Sequence, residues 1–326
     1  IAEEMNRIEH NQGRFKAETS DMTNCYPVTN IVINTSCEHI TQEQYDLEFP
    51  KADQKFIDTF WLWFKEVGRY HIERLGIIGG EPLIMPEFYD FLDKVLESVK
   101  EVEDKRSQKL KIWIVTNMNT PPVYLEKFIS YMPKISKEFD LEILVSMETV
   151  GKKAEYIRNG LNWERFTKNI NKILGLKDIN FGFGFILSQN ILSITSIKEV
   201  IQYIENLYFT HGRPIYIKQS MVTHPTWQNP TNLTPDFAAY IDDTIEYMKT
   251  MVDKMPIVED FFGRYDQYII YLEKLSSGIK NNQTNLIYDR QMFASWYDLY
   301  DKRRNLNLLE TFPEYKEFYE TCRSLA

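Results

Sequence analysis

Gly79-Gly80-Glu81-Pro82 follows the apolar run Leu75-Gly76-Ile77-Ile78 without a break and precedes an amphipathic stretch, 87–100. Two glycines and an acid at the carboxyl end of a buried strand let the polar end of a ligand meet bare backbone and a carboxylate together. Further along, Thr116-Asn117, Ser146-Met147-Glu148 and Ser188-Gln189-Asn190 each close an apolar run with small or polar groups, and Arg158 stands shortly after the second of these. Sites in β/α folds gather at the carboxyl ends of the strands, so these turns are expected to face one cavity. Each has a plainer reading as well. Thr116-Asn117 suits a helix cap, Ser188 to Asn190 a surface loop, Arg158 an exposed ion pair with Glu155 or Glu164, and Glu81 an acid at a helix start.

Residues for other chemistries are scattered. Cys25, Cys37 and Cys322 are too few for a disulfide framework, and the spacing of the first two matches no common metal-ligand pattern. They read as packed or surface thiols in a reducing compartment. His10, His39, His71, His211 and His224 are widely separated and form no metal or phosphate motif with the acids. No single residue is marked as catalytic.

The elements that must hold these turns alternate through the first two thirds of the chain. Short apolar runs at 28–33, 74–78, 111–115, 142–146, 180–186 and 215–220 read as parallel strands covered on both faces. Helix-period stretches lie between them at 52–70, 87–100, 123–132, 162–174 and 197–208. The order is βαβα, which predicts an α/β fold with a parallel sheet or a β/α barrel. Beyond Thr223, Pro225, Pro230 and Pro235 interrupt the pattern, and only helical periodicity follows, at 235–251, 257–275 and 292–305. Two parts are therefore expected: a barrel over 1–230 and a helical C-terminal extension over 231–326. Aromatic residues such as Phe261, Phe262 and Tyr265 are expected to pack that extension.

Bulk properties narrow the classes. The 38 basic and 47 acidic residues give a formal charge of -9, which argues against a nucleic-acid partner. Apolar runs are far below the roughly 18–20 residues of a membrane helix, so no membrane partner is expected and a cytoplasmic protein is.

The ordered set of turns resembles the radical S-adenosylmethionine superfamily. The likeness rests on Gly79-Gly80-Glu81-Pro82, Val115-Thr116-Asn117 and Ser146-Met147-Glu148, with Glu155-Tyr156-Ile157-Arg158 beyond. Glu155 to Gly160 followed by Asn162-Trp163-Glu164 is similar to its twitch-domain group, as are Tyr300 to Arg304 and Leu309 to Pro313. The resemblance covers about 72–190 and, more thinly, the tail. It implies a partial TIM barrel of (β/α)6 type. It implies S-adenosylmethionine and a 4Fe-4S cluster as cofactors, an electron donor as partner, and reductive cleavage to a 5'-deoxyadenosyl radical. That radical would abstract hydrogen from a peptide, protein or small-molecule substrate.

By the same likeness Gly79, Gly80, Glu81 and Pro82 meet the methionine amino group, and Thr116 and Asn117 lie along the cofactor or substrate. Ser146, Glu148 and Arg158 address ribose and carboxylate, and Gln189 and Asn190 ribose or adenine. These types suit the ligand: an acid and carbonyls for its ammonium, a guanidinium for its carboxylate, small polar groups for its diol.

The sequence departs from the family in one respect. The cluster loop, CxxxCxxC between the first strand and the Gly-Gly-Glu-Pro strand, is absent. The expectation is that the loop and the first strand of the barrel lie upstream of Ile1. The alternative is a degenerate barrel that has lost its cluster and serves as a binding module.

Overall fold

Each apolar run bounded by turn residues becomes a strand, and the periodic stretches between them become helices. The computed structural model describes residues 29–34, 54–100, 109–256, 258, 263–284 and 286–325. Cys25, Cys37, Phe261, Phe262 and the start of the chain lie outside the described residues.

The chain divides into two units, and the division falls inside one strand. In the first unit β1 (Thr29–Asn34) pairs in parallel with β2 (Ile72–Ile78), and β2 in parallel with β3 (Lys111–Thr116). The first half of β4 (Asp140–Met147) follows β3 in the strand order. Before β2 stands α1 (Gln54–Trp63), continued by a π turn at Phe64–Gly68. Two further helices follow β2 and β3, namely α2 (Pro86–Lys100) and α3 (Pro122–Glu138).

The core of this unit comprises Leu75 and Ile77 of β2, Ile112 and Ile114 of β3, and Leu92, Phe128 and Met132 of the helices, all at most 3% exposed. Burying one such side chain contributes roughly 1.5–3 kcal/mol. Gly76 lies under the Trp113 ring: a Cβ there would come within 2.4 Å of it, so only glycine fits.

In the second unit α4 (Gly151–Ile157) and α5 (Trp163–Leu174) follow the second half of β4. Then come β5 (Gly182–Gln189), α6 (Ile197–His211) and β6 (Ile215–Met221), with β5 and β6 parallel. The remainder is helical: α7 (Ala238–Met251), α8 (Tyr265–Asn281), α9 (Ile287–Arg304) and α10 (Lys316–Ser324). Phe183, Phe185, Ile201, Tyr268, Phe293 and Tyr315 are fully buried in this unit.

The α/β class and the helical C-terminal part agree with the sequence expectation. One expectation needs correction. A first strand is not missing: β1 stands before the Gly-Gly-Glu-Pro strand, in register from Asn30 opposite Arg74 to Asn34 opposite Ile78. The run at 28–33 reads as a strand by its own pattern; its pairing beside β2 is long-range and has no local sign.

Three local differences have physical causes. The helix expected to stop at 132 runs through Pro133 to Glu138, because Met132 and Ile135 continue its buried stripe. The helical stretch expected from 235 opens as a 3-10 turn at Pro235–Phe237, which leads into α7 at Ala238. β3 alternates between buried and half-buried positions instead of being covered on both faces.

Candidate functional site

Gly79 and Gly80 leave β2 with φ of 99° and 49°, which L side chains rarely adopt, and this turns the chain sharply enough to bring Glu81 to the strand end. Glu81 is half-buried and extended (φ -122°, ψ 96°), and its Oε1 accepts from the Leu83 amide at 3.3 Å. Pro82 opens the following 3-10 turn, where it has no N–H to leave unsatisfied. From the end of β3, the Thr116 hydroxyl donates to Glu81 Oε1 at 2.6 Å; Thr116 itself is 1% exposed. The first unit therefore brings Gly79, Gly80, Glu81, Pro82 and Thr116 together.

The carboxylate is thus oriented from two neighbouring strand ends. Beneath the turn, Tyr89 donates to the Leu83 carbonyl at 2.7 Å, with Lys127 over its ring at 3.8 Å. Burial first, and the charge of Glu81 second, hold the Tyr89 hydroxyl far above its ordinary pKa, so it stays protonated.

The second unit assembles a different group. Ser146, Glu148 and Arg158 line one shallow crevice with Trp163 and Phe166. Arg158, at the end of α4, donates from Nε and Nη2 to the two Glu148 oxygens at 2.5 and 2.6 Å, a bidentate pair. The Glu148 side chain is 10% exposed and that of Arg158 27%, so the pair is half sunk into the crevice. Its partner is neither Glu155 nor Glu164: Glu155 accepts the Trp163 amide at 2.8 Å instead.

The other candidates in this unit have structural partners. Asn117 Oδ1 accepts the Asn119 amide at 2.8 Å and shapes a tight turn. Gln189 places its amide 2.6 Å from the Tyr268 hydroxyl, and Asn190 Oδ1 receives the amides of Leu192 and Ser193 at 2.9 and 3.1 Å.

Sequence reasoning missed the residues that hold these turns. Met118 is buried with φ of 52°, a strained non-glycine conformation. Asn169 of α5 donates to the Met118 and Thr120 carbonyls on either side of the strain, at 3.0 and 2.8 Å. Asn119 accepts from the Asn162 amide and Arg165 Nε, at 3.1 and 3.0 Å, and donates to the Gly160 carbonyl at 2.8 Å. The available signal was an asparagine on the buried stripe of a helix, among Phe166, Ile170 and Ile173.

No family model matches the chain, and no curated protein matches it. Among solved structures the chain is similar to SuiB of Streptococcus suis. The similarity to SuiB bound to S-adenosylmethionine has a TM-score of 0.39 and 15% identity, over 58% of this chain and 41% of that one. A second SuiB structure gives 0.39 and 14%, over 58% and 40%. The match thus spans about two fifths of the length of SuiB.

Proposed function

We propose that this chain binds S-adenosylmethionine as a member of the radical S-adenosylmethionine superfamily, with the Gly79–Pro82 turn taking the methionine amino group. The observation that carries the reading is the Glu81 carboxylate, fixed at the end of β2 by the Thr116 hydroxyl at 2.6 Å and the Leu83 amide at 3.3 Å. A half-buried carboxylate oriented in this way suits an ammonium: the charge-assisted bond is roughly twice as strong as a neutral one, and little ordering is left to do on binding. Gly79 and Gly80 place no side chain over the backbone beside it.

Ser146, Glu148 and Arg158 are assigned by the resemblance to ribose and carboxylate. The Glu148 and Arg158 pair supplies an acceptor for a diol and a donor for an acid. Reductive cleavage needs a cluster that the cysteines of this chain do not fit, so the proposal stops at binding. A peptide or small-molecule substrate and the twitch-domain assignment of the C-terminal helices stay with the resemblance.

Calorimetric titration of the chain with S-adenosylmethionine tests the reading. Glu81→Gln keeps the shape and removes the charge, and is expected to weaken binding at least about tenfold, close to 1.4 kcal/mol. Equal affinity of the wild type and the variant would refute the assignment.

A further inference from the structure

A 4Fe-4S cluster of the kind implied by the resemblance needs three thiolates. The chain contains three cysteines in all. Cys322 lies in α10 with no exposed surface, and burial pushes its thiol up to about 12, so it is a packed thiol of the second unit. That leaves Cys25 and Cys37, with eleven residues between them. Two do not make three. Among the described residues no group of three His, Cys, Asp or Glu could hold a metal ion.

Strand order bears on where a cluster loop would have to be. The loop of the resembled family joins the first strand to the Gly-Gly-Glu-Pro strand. Here β1 runs parallel to β2, with Asn34 opposite Ile78. β1 therefore ends at the same end of the sheet as β2, where the Gly79-Gly80 turn stands. In sequence, residues 35–53 stand between β1 and α1 and contain one cysteine, Cys37.

We infer that this chain binds S-adenosylmethionine without iron and leaves it intact, the Glu81 carboxylate alone balancing the methionine ammonium. The inference rests on the proposed binding at the Gly79–Pro82 turn. In a cluster-bound complex the open iron holds the methionine end of the ligand. With no iron to take its lone pair the amine stays a protonated ammonium, which needs an anionic partner from the protein, and Glu81, held by Thr116, is the acid in the turn. Affinity should therefore depend steeply on Glu81 and not at all on iron or on Cys37.

The experiment uses the full chain, treated anaerobically with ferrous iron and sulfide, desalted, and compared with untreated and chelator-washed protein. Iron content, visible absorption and calorimetric binding of S-adenosylmethionine are read on each, and dithionite-treated samples are assayed for 5'-deoxyadenosine. The expected result is background iron, no cluster absorption, one affinity for all three preparations and no 5'-deoxyadenosine. Glu81→Gln should weaken binding at least about tenfold, Glu81→Asp should restore part of it, and Cys37→Ala should match the wild type.

A stoichiometric cluster, binding that appears only after iron loading, or loss of binding in Cys37→Ala would overturn the inference and leave the binding site standing. Absence of binding in every preparation would overturn the binding reading and this inference with it. Thermal melts of each variant separate unfolding from loss of the ligand.

Discussion

Glu81 and Arg158 do opposite things with their charges. Glu81 accepts from two neutral donors, the Thr116 hydroxyl and the Leu83 amide, and under the proposed reading its charge meets a ligand. Arg158 spends two of its donors on Glu148, at 2.5 and 2.6 Å, in a half-sunk pair. Removing one partner of such a pair costs more than the pair contributes, because the other charge keeps its desolvation without compensation. Arg158→Ala should thus lower stability by about 1–3 kcal/mol in urea denaturation. Adding Glu148→Gln should recover part of that loss. A double variant less stable than Arg158→Ala would show that Glu148 is held by something other than this guanidinium.

Among the elements, α3 goes furthest against its own sequence. Pro133 has no N–H for the Ile129 carbonyl, and a proline inside a helix costs about 3 kcal/mol. The helix continues because Leu125, Phe128, Met132 and Ile135 form one buried stripe across the proline. Pro133→Ala should therefore stabilise the chain, by about 1–2 kcal/mol after the greater freedom of the unfolded alanine chain is subtracted. Thermal denaturation reads this as a raised midpoint; a lowered one would mean that the proline ring itself packs.

The loop after β3 shows the converse. Its strain at Met118 is compensated by Asn169, more than forty residues later; an asparagine on a buried helical stripe signals a polar partner without saying which one. β1 belongs with it: a six-residue strand whose place is fixed only by pairing with β2.

For the molecule as a whole, the C-terminal helices are tied into the second unit through polar staples. Tyr156 donates to Asp301 at 2.7 Å, Tyr315 to the Ile191 carbonyl at 2.6 Å, and Glu314 accepts from Lys153 at 2.6 Å and from Thr195 at 2.5 Å. Burial alone would raise the Glu314 carboxyl, but Lys153 and Thr195 hold it below its ordinary value of 4.5. A depressed acid contributes stability above its unfolded pKa and loses it as the pH falls through the folded value. Asp242, lowered by Lys280 and Ser276 against the opposing effect of burial, acts with the same sign. Urea midpoints should therefore fall on acidification from about pH 5 to about pH 3. The fall should be smaller in Lys153→Met, and an identical fall would remove Glu314 from the account.

The α/β class, the order of strands and helices, the helical C-terminal part and the turns that close the strands are all legible in the sequence. Those features follow from local periodicity and backbone freedom, which neighbouring residues fix. The fold, and not local pattern, selects Thr116 as the holder of Glu81, Glu148 as the partner of Arg158, and the parallel register of β1 on β2. Each of these is a contact between residues distant in sequence or a choice among several partners, and packing alone selects it.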